Sequence, residues 1–192
     1  AMPSVLAAVR SRAVAILVIG GAVAFSWWTL SPHLGLFHDD GIYAVTAKAL
    51  AEGRGYHLLS LPTNPLQTKY PPLFPLLLAL VWRLVPAFPQ NVIALKLVGV
   101  ACFATTLVVA RALFRRVPGF RVWWKEAAFL AVCAFNALSM SFTDFALSDH
   151  AFAACVALAI LLHSREPEAG TRIRTVVLAA LMSLAGYGLG MI

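Results

Sequence analysis

Long apolar stretches alternate with shorter polar segments along the whole chain. A helix needs about 20 apolar residues, and about 17 at the least, to cross the hydrocarbon core of a bilayer. Five stretches reach or approach that length, and we expect each of them to be a membrane span: residues 13–30, 92–114, 126–142, 145–162 and 175–192. The sequence therefore predicts an all-α, polytopic bundle of transmembrane helices.

A sixth apolar stretch, residues 73–85, is shorter than the others. It carries Arg83 and is bracketed by Pro71-Pro72 and Pro86. Its length is more typical of a re-entrant or interfacial helix than of a span. We expect it to lie at the membrane surface, and six spans remain the alternative because short tilted spans exist.

The composition also indicates an integral membrane protein. Hydrophobic residues make up 61% and charged residues 12% of it, against about 45–50% and about 25% in soluble domains. The net charge of +7 comes from basic residues at the ends of apolar runs, which is a topology signal and excludes nucleic acid as the partner. Cys102, Cys133 and Cys155 lie inside apolar runs and are interpreted as small buried hydrophobic residues.

Charge placement decides the orientation, because cytoplasmic loops collect Lys and Arg. Five spans with a cytoplasmic amino terminus put most of the 15 basic residues inside: Arg10, Arg12, Arg111, Arg115, Arg116, Arg121, Lys125, Arg165, Arg172 and Arg174. If residues 73–85 also crossed, the cluster at 111–125 would lie outside. We therefore expect one transmembrane domain over residues 1–192, with a long external loop at 31–91 and a short one at 143–150. Because the last residues are apolar and Ala1 precedes Met2, we also expect a truncated chain.

An acidic pair, Asp39-Asp40, opens the long external loop. Residues at helical spacing follow at 42, 43, 45, 46, 49 and 50, all of them apolar except Thr46, and Gly53 provides a stop. This pattern predicts a short amphipathic helix along the membrane surface. One carboxylate is enough to cap that helix. Two adjacent carboxylates repel each other and resist desolvation, so a functional role for the second is equally open.

A Lys69-Tyr70-Pro71-Pro72 turn lies further along the same loop. The two prolines favour an extended Tyr70 and a rigid entry into the next helix. Lys69 stands at the expected height of the lipid headgroups. Its side chain either snorkels to the interface or donates a point charge to a lipid-linked phosphate.

The short external loop holds Asp144, which we expect to be a helix N-cap, and Asp149, which already lies within an apolar run. An ionisable group at such a depth is a candidate functional residue, since it has to face a cavity or a partner. His150 either pairs with Asp149 or sits at the interface as an amphipathic ring, and we favour the second interpretation. The histidines show no metal-ligand spacing.

Taken together, these motifs resemble the amino-terminal part of C-type glycosyltransferases of the protein O-mannosyltransferase and aminoarabinose transferase type. The resemblance is carried by Asp39-Asp40 with Tyr43, by the Lys69-Tyr70 turn, and by Asp149 after Ser148. It covers roughly residues 10–192. It implies a polytopic helical fold in the inner membrane that passes a sugar from a polyprenyl-phosphate donor to an acceptor on the external, periplasmic face. The sugar and the acceptor stay open.

The resemblance also implies roles for individual residues. Asp40 or Asp39 would be the general base, with Asp40 preferred, and Lys69 would stabilise the departing phosphate. Asp149 would orient the acceptor or a divalent metal, and the use of a metal stays open. The remaining substrate-binding candidates are Tyr70, Tyr43 and His150.

Two other functions remain possible on the sequence. One is a non-catalytic membrane module that binds a lipid phosphate or a partner membrane protein. The other is a transporter fragment in which Asp149 and Lys96 line a pathway. The lack of a convincing internal repeat weighs against a transporter, and Lys96 is better interpreted as a snorkelling or paired residue.

Overall fold

The computed structural model describes residues 2–163 of the chain, and within them it contains helices and no strands. The predicted all-α class is confirmed for this part. The predicted span at 175–192 lies outside the described residues. In chain order the helices are α1 (Met2–Thr29), α2 (Asp39–Ala51), α3 (Leu73–Leu84), α4 (Val92–Phe114), α5 (Trp123–Ala134), α6 (Ala137–Thr143) and α7 (Asp149–His163).

Two helices are long and apolar enough to cross a membrane. They are Val5–Thr29 within α1, with a mean hydropathy of 1.8, and α4, with a mean hydropathy of 2.3. The pair α5 and α6 would be a third if it forms one bent span. The described residues therefore hold two or three such helices, where the sequence predicted four.

The predicted span at 126–142 is not one continuous helix, because α5 and α6 are separate helices that meet at a bend of 56°. Phe135 ends α5, and Asn136 begins α6 with a side chain that accepts the N–H groups of Leu138 (3.0 Å) and Ser139 (3.3 Å). A side-chain cap of this kind satisfies backbone donors that would otherwise be orphaned. The cap therefore allows a new helix to start inside an apolar run.

The predicted helix at 145–162 begins later than expected. Residues 145–148 are not helical, and α7 starts at Asp149 and has 15 residues. This places Asp144 at the C-terminal end of α6. The prediction that Asp144 is an N-cap is therefore wrong, because its carboxylate is taken by other partners described below.

The two helices predicted between residues 31 and 91 are both present, and they pack against each other as α2 and α3. Tyr43 and Ala47 of α2 form a core with Phe74 and Leu78 of α3. The indole N–H of Trp82 donates to the carbonyl oxygen of Ala44 at 3.0 Å. A buried hydrogen bond thus fixes the register of the two helices.

The core of this helix pair continues into the main bundle. Leu95 of α4, Ala146 and Leu147 of the α6–α7 loop, and Ala151 of α7 all join it. In the bundle, α4 packs against α7, and α1 packs against α5 and α4. The segment between α1 and α4 is therefore folded onto the same end of the bundle as the start of α7.

Two buried polar networks mark opposite ends of the bundle. In the first, Glu126 is almost fully buried and binds Arg111, Arg115 and the Ser11 hydroxyl. Ser11 lies near the beginning of α1 and Ser31, in the second network, lies just after its end. Twenty residues of helix extend about 30 Å, which is the thickness of a bilayer core.

The second network surrounds Lys96, whose side chain is fully buried. Its ammonium donates to Asp144 Oδ1 at 2.8 Å, to the Ser31 carbonyl oxygen at 2.8 Å and to the Ser31 hydroxyl at 3.1 Å. The Ser31 N–H also donates to Asp144 Oδ1, at 2.6 Å. Lys96 therefore ties the end of α1 to the start of the α6–α7 loop and is a paired residue.

Candidate functional site

The two adjacent aspartates of α2 have different environments. Asp40 is fully buried. It accepts the N–H groups of Gly35 (3.0 Å), Phe37 (3.2 Å) and Gly41 (2.9 Å). Three backbone donors leave this carboxylate enclosed by the loop that precedes α2. The geometry thus gives Asp40 the structural role and does not support the preference for Asp40 as the base.

Asp39 has one third of its side chain exposed, with 35% accessible. Its Oδ1 accepts a hydrogen bond from the Tyr70 hydroxyl and lies 3.2 Å from Nδ1 of His38. Partial burial raises the pKa of this carboxyl, but Tyr70, His38 and Lys69 together outweigh it and hold the pKa below its ordinary value. Asp39 is therefore an ionised, accessible carboxylate at neutral pH.

Lys69 brings a positive charge to the same place. Its ammonium lies 4.9 Å from the centre of the Tyr70 ring, a cation–π distance. Tyr70, and after it the charge of Asp39, raise the pKa of Lys69. The side chain is solvent-exposed and protonated, so an anion in solution or at a membrane surface can reach it.

The loop from 56 to 70 holds Tyr70 over Asp39. The Tyr56 hydroxyl donates to the Tyr70 carbonyl oxygen at 2.7 Å, and the Gln67 N–H donates to the Tyr56 carbonyl oxygen at 2.8 Å. The Gln67 side-chain oxygen in turn accepts the Lys69 N–H at 2.8 Å. These bonds, followed by the two prolines, fix the turn that carries both Lys69 and Tyr70.

Tyr43 connects this cluster to the start of α7. Its hydroxyl lies 2.9 Å from the Ser148 hydroxyl. Its ring packs 4.9 Å from that of Tyr70 and 5.3 Å from that of Phe74, centre to centre. Burial raises the pKa of Tyr43 to about 12, so its hydroxyl stays protonated at neutral pH. We call Asp39, Tyr43, Lys69, Tyr70 and Ser148 the Asp39 cluster.

Asp149 and His150 differ from their predicted positions. Asp149 is exposed in the first turn of α7, so the prediction that it is buried is wrong. Its charge still acts on Tyr43, which puts it at the edge of the Asp39 cluster. His150 is buried, with Nε2 3.1 Å from the Ser139 carbonyl oxygen and its ring 4.9 Å from that of Phe103. These contacts are to α6 and α4, so the geometry supports neither an interfacial ring nor a role in substrate binding.

A small cleft borders the cluster. It has a volume of about 20 Å³ and is lined by Pro71, Phe74, Ser148 and Phe152, among others. Across residues 2–163 no three His, Cys, Asp or Glu side chains come together as a potential metal site. Among the described residues Asp149 thus has no partner ligands to complete a metal-binding set.

Sequence reasoning missed Tyr56, His38 and the pairing of Lys96 with Asp144. Lys96 and Asp144 stood out as charges beside apolar runs, and the expectation that such charges are paired would have linked them. Tyr56 carried no such signal, since its role depends on a turn that closes over fourteen residues.

The described chain is an all-helical protein with two or three helices that could cross a membrane. An ionised carboxylate, a protonated lysine and two tyrosines meet in its long loop. No family model, curated protein or solved structure matches the chain.

Proposed function

We propose that the chain is a membrane glycosyltransferase, or the amino-terminal module of one. It passes a sugar from a polyprenyl-phosphate donor to an acceptor on the external face of the membrane. The observation that carries the proposal is the pairing of an ionised, accessible Asp39 with a protonated, exposed Lys69 across the Tyr70 ring. A base and an anion-binding cation side by side are the two groups that such a transfer needs.

The proposal includes a multi-pass topology of five spans with a cytoplasmic amino terminus. Support comes from the two buried polar networks. The network around Glu126 includes Arg111 and Arg115, which belong to the basic cluster that favours the cytoplasm. The network around Lys96 lies at the other end, beside the loops that carry the Asp39 cluster, and this supports an external, periplasmic location of the cluster at an inner membrane.

Asp39 acts as the general base in this scheme. Both described contacts of its carboxylate use Oδ1, so Oδ2 takes the proton of the acceptor hydroxyl or amine. The acceptor atom bonds to the anomeric carbon while the bond from that carbon to the phosphate oxygen breaks. The electron pair of the broken bond leaves with the phosphate.

Lys69 holds the leaving group. A phosphate already departs well, so the main task is to stabilise its charge with a cation that is in place beforehand. Tyr70 orients Asp39 through its hydrogen bond, and Tyr43 with Ser148 keeps the α7 end of the cluster in register. Asp40 positions Asp39 by ordering the loop before α2. Asp149, at the edge of the cluster, orients the acceptor.

The test is sugar transfer by the chain in lipid nanodiscs, with polyprenyl-phosphate mannose and polyprenyl-phosphate aminoarabinose as donors. The readout is release of polyprenyl phosphate. We expect Asp39→Asn to lower the rate about 100-fold or more, because general bases contribute about 10²–10⁴. Glu52→Gln, an exposed carboxylate just after the same helix, is the matched control and keeps the rate.

An unchanged rate in Asp39→Asn would remove Asp39 as the base. If the wild-type chain binds the donor but never releases the lipid phosphate, and Lys69→Gln abolishes that binding, the chain is a non-catalytic lipid-phosphate module instead. The exposure and charge of Lys69 also support this second function. The transporter hypothesis is weakened, because Lys96 is buried in an ion pair with Asp144 and is not available to line a pathway.

A further inference from the structure

A groove lies on the side of α2 that faces away from the Asp39 cluster, and the proposed function does not use it. It has a volume of about 320 Å³ and is lined by Leu34, Ala44, Val45, Trp82, Phe88 and Lys48 together with two glycines. Residues 44, 45 and 48 face the groove, whereas Asp39 and Tyr43 face the cluster. On a helix of 3.6 residues per turn these positions fall on different faces.

The groove is apolar except at one edge. Trp82 and Phe88 form one wall with their rings stacked at 6.2 Å, and Lys48 is the charged residue among those that line it. The Lys48 ammonium lies 5.6 Å from the centre of the Trp82 ring. It also lies 3.8 Å from Glu52, but such an exposed pair contributes little and does not prevent a second anion from binding.

Exposed apolar side chains on α3 and in the loop before α2 are suited to lipid. Leu76, Leu80 and Leu84 form a stripe along α3, on the face opposite Trp82, and are 49%, 57% and 82% exposed. Leu36 and Phe37, in the loop that borders the groove, are 68% and 51% exposed. Exposed apolar patches mark membrane or partner contacts, and a stripe at four-residue spacing is typical of an interfacial helix.

The loop before α2 forms part of the groove wall through Gly35 and Gly41. A Cβ atom on Gly41 would lie 3.2 Å from the Gly35 Cα, so the close approach of the two backbones depends on the missing side chain of Gly41. The Gly35 N–H is also one of the donors to Asp40. An occupant of the groove would therefore touch the loop that positions Asp39.

From these observations we infer that the groove binds an anionic phospholipid of the surrounding bilayer, with one acyl chain along Val45, Trp82 and Phe88 and the headgroup phosphate at Lys48. The volume is at the lower end of the range for ligand pockets, which suits one hydrocarbon chain. The site depends on the membrane placement of α2 and α3 and is independent of sugar transfer, since Lys48 is not part of the Asp39 cluster.

The experiment is native mass spectrometry of the chain in detergent with phosphatidylglycerol or phosphatidylcholine. We expect one retained phosphatidylglycerol, bound about fivefold more tightly than phosphatidylcholine, which is the effect of about one basic residue on anionic lipid. Lys48→Gln removes this preference. Arg54→Gln keeps it, because Arg54 pairs with the same Glu52 at 3.4 Å but does not line the groove.

A second variant tests the chain-binding part. Val45→Trp fills the groove and is expected to abolish retention of both lipids while circular dichroism shows unchanged helix content. The inference is overturned if the wild-type chain retains the two lipids equally, if Lys48→Gln behaves as wild type, or if only undecaprenyl phosphate is retained. None of these results alters the outcome of the sugar-transfer assay with Asp39→Asn.

Discussion

At the residue scale, two neighbouring aspartates show what a sequence can and cannot assign. One of Asp39 and Asp40 is enough to cap a helix, and the sequence left a functional role for the other equally open, with Asp40 preferred as the base from the resemblance. The residues alone could not decide between the two, because the choice depends on where the backbone N–H groups of residues 35–41 point. Gly35 adopts a positive φ of 84°, a conformation that favours glycine. The resulting turn directs its N–H toward Asp40 and leaves Asp39 outside.

The buried pair of Lys96 and Asp144 gives a prediction at the same scale. Lys96 is fully buried, whereas Asp144 keeps a quarter of its side chain exposed. Asp144→Ala leaves the ammonium without its charged partner inside the protein, and we expect it to lower the free energy of unfolding by about 3 kcal/mol. Lys96→Met leaves a carboxylate that water and the Ser31 N–H still solvate, and it is expected to cost about 1 kcal/mol.

Thermal unfolding of the two variants in the same detergent measures this asymmetry. Glu52→Ala, whose exposed ion pairs contribute little, is the control and should unfold as wild type. If Lys96→Met destabilises the chain more than Asp144→Ala, the lysine is held mainly by its apolar packing and the account of this network is wrong.

At the element scale, prediction succeeded wherever a local signal ended a helix. The bounds of α4 match the predicted stretch at 92–114, and α3 ends one residue before its predicted limit. The prolines and glycines around these helices act through the backbone alone. Prediction failed at Asn136, which interrupts an apolar run without a proline or glycine. The apolar run continues through Asn136, so a prediction based on the length of that run joins α5 and α6 into one span.

The Asn136 cap can be tested directly. Asn136→Ala removes the acceptor for the N–H groups of Leu138 and Ser139, and we expect it to destabilise the chain by about 1 kcal/mol. Asn136→Asp retains an acceptor and should behave as wild type. Unfolding midpoints of the two variants decide the matter, and equal loss in both would show that the side chain does more than accept these bonds.

At the scale of the whole molecule, the arrangement of the helices could not be predicted. The sequence indicated that Asp39, Lys69 and Asp149 belong to external loops, but the contacts that bring the loops together span long stretches of chain. Ser31, Lys96 and Asp144 meet from three segments, and Tyr43 reaches Ser148 across 105 positions. Only the folded bundle defines these contacts.

The proposed function depends on the claim that the Asp39 cluster and the basic segment at 111–125 face opposite sides of the membrane. Single-cysteine labelling measures this. Cys102, Cys133 and Cys155 are first replaced by alanine, and Lys69→Cys or Arg121→Cys then supplies one exposed thiol at each end of the bundle. With a membrane-impermeant maleimide on sealed right-side-out vesicles, we predict that Lys69→Cys is labelled at once and Arg121→Cys only after lysis. Labelling of both thiols from the outside, as six spans would give, contradicts the account.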